Sequence, residues 1–195
     1  MRLDLQTSKT KEVYMPISNT QELFLHDLRE IYDAEHRFVE GQQEMAQNAT
    51  DGKLESAIRE HLEQSRLHAR NLEEVFDKLG QEPRRETNEV AEGLVSEAQE
   101  GIQEAQGDAL RDCVIDAAVI KVEHFEMGSY RGLITGARLM GQTEIVDLLE
   151  QNLRQEEETA QIAEQSAQEL LQKAQQGEEQ EEGLIDKAKD KLSGQ

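Results

Sequence analysis

Cysteine, proline, tryptophan and positive charge are all scarce in this chain, and each scarcity narrows what it can be. A single cysteine, Cys113, permits no intramolecular disulfide. A reducing, cytoplasmic compartment is the simplest reading. Two prolines, no tryptophan and 4% aromatics, beside abundant Glu, Gln, Ala and Leu, favour helix over sheet. Asp and Glu number 42 against 21 Lys and Arg, a formal charge of -21. That excess argues against nucleic-acid binding through phosphate attraction and against adsorption to an anionic membrane. It permits attraction of cations, although a solvated acidic surface is the commoner meaning. No apolar run follows a basic start, so no signal peptide is visible. No stretch approaches the length of a membrane span. The 195 residues fit one domain with tails.

The pattern predicts four long helices. Residues 1–17 lack a period and read as a mobile arm, and Ser18-Asn-Thr-Gln21 matches a capping box. A first helix over 20–48 carries Phe24, Leu28, Ile31, Glu35, Phe38, Gln42 and Met45 on one face. A second, over 53–79, carries Leu54, Ile58, His61, Ser65, His68, Leu72, Val75 and Leu79. Residues 81–107 cross over, with a short helix capped by Asn88 or Thr87 and facing inward with Val90, Leu94, Ala98 and Ile102. A third long helix, 108–140, has Ile115, Val119, Glu123, Glu126, Tyr130, Leu133 and Ala137 on one face. Its Gly128, Gly132 and Gly136 weaken the helix, and close packing against a neighbour would compensate. A fourth, 142–174, carries Ile145, Leu149, Asn152, Glu156, Thr159, Ala163 and Leu170. Residues 175–195 read as a polar, mobile tail. The expectation is an all-α, antiparallel four-helix bundle over 18–174, with an extra short helix in the long crossover.

Depth can be counted from the turns near 50 and 141. Glu35 then faces the Ser65–His68 level, Glu126 faces Glu156, and Glu123 lies near Thr159. Four carboxylates at one depth cannot all stay ionised without cations. Carboxylate and imidazole together suit iron, manganese or zinc. Each residue also has a plainer reading. A single Glu on a core face commonly reaches solvent at the bundle edge, and a single His is commonly structural. It is the coincidence of Glu35, His68, Glu123, Glu126 and Glu156 that points to metal. His61 lies one turn off this layer and reads as structural. Glu60 and Glu63 read as surface charge, Tyr32 and Tyr130 as core-edge packing, and Cys113 as a small core residue.

Phe24-Leu-His-Asp-Leu-Arg-Glu-Ile-Tyr-Asp-Ala-Glu35, His61-Leu-Glu-Gln-Ser65, Asn88-Glu-Val-Ala-Glu-Gly-Leu94 and Val122-Glu-His-Phe-Glu126 together resemble the YciF-type (YciE/YciF) branch of the ferritin-like superfamily. The likeness covers about residues 20–172. It implies a ferritin-like bundle, a homodimer and a bacterial stress protein. Rubrerythrin-like relatives hold two irons with Glu in the first helix, Glu-x-x-His in the second, Glu-x-x-Glu in the third and Glu-x-x-His in the fourth. Carried over, the ligands are Glu35, His68, Glu123, Glu126 and Glu156. Ser65 stands where the second helix's acid would be, and Thr159 where the fourth helix's histidine would be.

The resulting expectation is a non-haem di-metal protein, iron ahead of manganese, of redox or oxidative-stress defence. Its candidate activities are oxidase or peroxidase chemistry on oxygen or peroxide, or oxidation of ferrous iron. Tyr32 or Tyr130 could supply a proton or electron, and no catalytic residue is assigned. The alternative is a metal-poor structural or partner-binding stress protein whose buried acids are protonated or hydrogen-bonded. Iron storage would need a large hollow assembly.

Overall fold

The computed structural model describes residues 17–193, with backbone alone at 181, 182, 185–188 and 190–193. The expected N-terminal arm therefore lies, but for Ile17, outside the described residues. The helices are α1 (Thr20–Asn48), α2 (Gly52–Lys78), α3 (Glu89–Glu104), α4 (Asp108–Leu139) and α5 (Thr143–Ser193). No strand occurs among the described residues. The four long helices and the short crossover helix are those the periodicity predicts. No described helix is long and apolar enough to cross a membrane.

Local chemistry fixes the helix ends. The first cap is shifted by one residue from the expected box. Asn19 accepts the Glu22 N–H, while the Glu22 carboxylate reaches back to the Ser18 N–H and hydroxyl. Asp51 and Asn88 cap α2 and α3. Gly80 and Gly141 end α2 and α4 with φ of 65° and 72°. In both, the following N–H bonds back to the last turn, to Phe76 and Ala137 respectively. The fourth bundle helix does not stop at 174 but continues to Ser193. No proline interrupts residues 175–193, and Glu, Gln and Lys make up ten of these nineteen residues, so the helix runs on through Gly177 and Gly183. Residues 175–180 are exposed.

α1 packs on α2 and α4, and α5 packs on the same two helices, closing a four-helix ring; α3 lies against α1 and α4. On α3 the expected Ala98 and Ile102 are buried, but at its start Ala91 takes the inward position and Val90 is exposed. Two buried acids tie the frame together. Asp112 of α4 accepts the Thr50 N–H, the Thr50 hydroxyl and the Asp51 N–H at 2.7, 2.7 and 2.9 Å, pinning the α1–α2 turn. Asp33 of α1 accepts from Arg37, Arg85 and the Asn88 N–H, pinning the crossover. Burial works against the Asp33 carboxylate, but these donors outweigh it and hold its pKa below the usual range.

Two apolar clusters fill the ring. One is built on Phe24, Leu28, Phe38, Leu72, Phe76 and Leu149. The other is built on Met45, Leu54, Ile58, Ile115, Val119 and Leu170. The predicted polar positions of the long helices lie where these clusters meet.

Of the three α4 glycines, only Gly136 is closely packed. A Cβ there would lie 2.9 Å from Phe24 Cδ2, whereas one at Gly128 or Gly132 would meet nothing within 4 Å. Gly136→Ala should therefore lower stability by about 1–3 kcal/mol through displacement of the buried Phe24 ring. Gly132→Ala should raise it by about 0.5–1 kcal/mol through helix propensity. Urea unfolding of the two variants would measure this, and an equal shift in both would refute the packing argument.

Candidate metal centre

All five expected ligands reach one place. Glu35, His68, Glu123, Glu126 and Glu156 are each no more than 1% exposed. Their donor atoms form two groups, each with all atoms within 4.8 Å of one another. One contains Glu35, His68 and Glu156; the other contains His61, Glu123, Glu126 and Glu156. Glu156 belongs to both. Helices α1, α2, α4 and α5 all contribute, each through the face its apolar spacing turns inward.

His61 corrects the sequence reading. It is buried, and its Nε2 lies 3.1 Å from Glu123 and 3.6 Å from Glu156. Thr159, at the position where the family pattern puts a histidine, hydrogen-bonds His61 Nδ1 at 3.0 Å. The imidazole absent from α5 is thus replaced by one from α2, and Thr159 positions it. Ser65 contacts His61 at 3.4 Å and accepts the Gln42 amide hydrogen at 3.1 Å. Glu123 and Glu126 of α4 are the two acids the family pattern puts there, so Ser65 leaves the set one carboxylate short of that pattern. The buried donor set is four carboxylates and two imidazoles, the composition of ferritin-like di-metal sites.

The outer nitrogens of both rings have acceptors. His61 Nδ1 faces Gln64 Oε1 at 3.2 Å, and His68 Nε2 faces Gln155 Oε1 at 2.8 Å. An amide oxygen accepts and cannot donate, so each outer nitrogen carries the hydrogen. In the neutral ring the other nitrogen then presents its lone pair to the carboxylates. Neither glutamine has a sequence signature. Tyr130 is more than packing: its hydroxyl donates to Glu35 Oε1. Asn152 donates to the same hydroxyl at 3.0 Å and accepts from Asn71 at 2.7 Å. Tyr32 bonds Glu73 instead, so it is not part of the cluster. His124, exposed, pairs with Glu164.

Among the described residues, seven of the eight oxygens of Glu35, Glu123, Glu126 and Glu156 have no hydrogen-bond partner. The eighth is the one that takes the Tyr130 hydroxyl. His68 Nδ1 also lacks an aligned partner, although it is 2.8 Å from Glu156 Oε1 and 3.5 Å from Glu35 Oε1. Buried polar atoms are rarely left so. Donor atoms that crowd together without bonding one another fit a cation between them.

Without a cation, the layer must bind protons. Burial, and then repulsion from Glu156, Glu35 and Glu123, pushes the Glu126 carboxyl well above its usual range. Burial pushes Glu123 and Glu156 up to about 7. Burial opposes the His68 imidazolium, but Glu35 and Glu156 outweigh it and push it up to about 11. Burial also drives the Tyr130 hydroxyl well above its usual range.

Comparison with known proteins fits this architecture. Residues 19–176 match the family described as a domain of unknown function, DUF892. Protein YciF of Escherichia coli is 30% identical over 146 residues, which span 74% of this chain and 88% of that protein. The crystal structure of the E. coli stress protein YciF matches with a TM-score of 0.77 at 28% identity, over 80% of this chain and 99% of that one. YcfI from Rhodopseudomonas palustris matches with a TM-score of 0.75 at 33% identity, over 76% and 94%.

These shifts fix a pH dependence for the metal-free protein. Between about pH 4.5 and 7, the folded state keeps protons on Glu123 and Glu156 that the unfolded chain releases. Above about 6.5 it also keeps one on His68 that the unfolded chain releases, up to about 11. A folded state that binds more protons loses stability as pH rises. Chelator-treated protein should lose stability continuously between pH 5 and 8 from this layer. Glu123→Gln should make the slope shallower. Identical slopes for the variant and the parent in denaturant titrations would contradict the assignment.

Proposed function

The chain belongs to the DUF892 family of the ferritin-like superfamily, a family of YciF-like stress proteins, and on that premise we propose that it is a non-haem di-metal protein. The carrying observation is the set of unpartnered carboxylate oxygens in two donor groups that share Glu156. Glu35 and His68 would hold one ion and His61, Glu123 and Glu126 the other, with Glu156 common to both. Two divalent ions would offset the repulsion among four carboxylates. Oxygen and nitrogen donors without a thiolate suit iron or manganese. Such ions supply one-electron exchange with oxygen, peroxide or ferrous iron.

The chain's own groups prepare that chemistry. Gln64 and Thr159 hold the His61 ring, and Gln155 holds the His68 ring, so that each turns its inner nitrogen to the carboxylates. Tyr130 keeps a proton on its hydroxyl at Glu35, anchored by Asn152 and Asn71. It therefore fixes a hydrogen-bond donor against the layer. The apolar clusters around the layer lower the local dielectric and strengthen the charge interactions inside. A homodimer and a cytoplasmic setting complete the reading. The family likeness supports the first and the single cysteine the second.

The second reading, a metal-poor structural or partner-binding protein, draws on the same layer. Protonated carboxyls and a His68 imidazolium would neutralise it without ions. Elemental analysis separates the two. Untagged protein expressed with iron and manganese should carry about two ions per chain, the number that the donor set serves. Glu123→Ala/Glu126→Ala strips two donors from one group and should retain about one ion, and Glu156→Ala, which removes the residue common to both groups, should lose both. Trace metal in the parent protein after aerobic and anaerobic reconstitution would overturn the proposal in favour of the structural reading.

A further inference from the structure

α5 outruns the bundle that it helps to close. Among the described residues its last buried ones are Leu170 and Ala174, yet the helix continues to Ser193. The nineteen residues from 175 onward extend it by about 28 Å, at 1.5 Å per residue. Every one of them whose burial is described is exposed, Leu184 at 66%. The match to the family stops at 176, so the extension lies outside the shared bundle.

The extension keeps the spacing of the face that α5 buries. Steps of three and four from Leu170 and Ala174 reach Gly177, Glu181, Leu184 with Ile185, Ala188 and Leu192. At 100° per residue these positions fall within an arc of about 100°. The seam that the bundle covers at Ala174 is open at Leu184. A helical segment of this length is marginal in water on its own, and Gly177 and Gly183 weaken this one further. A partner helix along the seam would supply the missing support.

The charge pattern identifies that partner. Residues 178–182 hold four Glu and no Lys, whereas 187–191 hold three Lys and one Asp. An antiparallel copy centred between Leu184 and Ile185 sets Glu178 level with Lys191 and Glu182 level with Lys187, each twice by symmetry. The same register sets Gly177 level with Leu192, Glu181 with Ala188 and Leu184 with Ile185. A large residue thus meets a small one towards each end of the seam, and apolar residues meet at its centre. Asp186 and Asp190 fall, by spacing, on the opposite side of the helix. A parallel copy would set the acidic run against itself. The segment is therefore complementary to itself in one direction only.

We infer that the extension of α5 is an interface that pairs antiparallel with the same segment of a second copy of this chain. The pairing joins two bundles end to end and adds to any contact between the bundles themselves. It uses none of the metal-layer residues, so it stands apart from the di-metal reading.

Sedimentation of the full chain over a wide concentration range tests it. The parent should self-associate reversibly. Leu184→Asp, at an exposed position beyond the bundle, should halve the mass of the largest species and leave metal content and the thermal transition by circular dichroism unchanged. Glu182→Lys should weaken association about tenfold, because two facing pairs become repulsive. The double exchange Glu182→Lys/Lys187→Glu should restore it. Spin labels attached through Gln176→Cys, in a Cys113→Ala background, should lie about 25 Å apart on antiparallel helices, against about 10 Å on parallel ones. A parent that is monomeric throughout would overturn the inference. So would a mass untouched by Leu184→Asp, a double exchange that restores nothing, or the shorter label distance. Association by a protein that takes up no metal would defeat the di-metal reading alone.

Discussion

Four carboxyl groups share one dry layer of this bundle, and at that spacing they cannot all be ionised without compensating charge. Every unusual feature of the interior answers this constraint. The Glu123 and Glu156 carboxyls are driven up to about 7 and Glu126 well above its usual range, toward the neutral acid, and His68 is driven up to about 11, toward the imidazolium. A protonated layer also answers the charge, with the His68 imidazolium 2.8 Å from Glu156 Oε1 and the protonated carboxyls serving as donors to neighbouring oxygens. The surrounding apolar clusters must then supply the stability that keeps such a layer closed. Shared cations would answer charge and coordination together, since the same oxygens would become ligands.

The donor set is that of ferritin-like di-metal sites, but its distribution over the helices is different. The second helix contributes two imidazoles and no acid, and the third long helix contributes two acids. Ser65 and Thr159 are therefore not simply lost ligands. Thr159 supports the nitrogen of His61 that faces away from the carboxylates, and Ser65 links the same ring to Gln42. Against the rubrerythrin-like pattern the carboxylate of position 65 is missing and one imidazole stands on α2 instead of α5, which is feasible because all four helices reach the same small volume. This arrangement also leaves the His61 side of the layer bounded by the small polar side chains of Ser65 and Thr159.

The frame that aligns the helices is itself polar. Asp112 ties the start of α4 to the α1–α2 turn, and Asp33 ties α1 to the crossover. Each accepts several hydrogen bonds, including backbone N–H groups that would otherwise be orphaned at a turn or a helix start. Their role is registration: they set how far each hairpin is displaced along the other.

Four helices with apolar faces, interrupted by Glu35, His68, Glu123, Glu126 and Glu156, were readable from spacing alone because helical period and burial are local consequences of side-chain order. The layer followed from counting depth within each hairpin. The role of His61 did not follow, because that count has no common origin for the two hairpins. The contact of Asp112 with Thr50 and Asp51 supplies the origin. His61 is ten residues past Asp51 and Glu123 eleven past Asp112, so the two stand level. One helical turn is about 5.4 Å, within the depth of a two-ion site, so a residue one turn away is still inside it. The sequence by itself determined which residues each helix turns inward. Only the tertiary structure decided which of them meet, because hairpin registration depends on contacts between residues far apart in the chain.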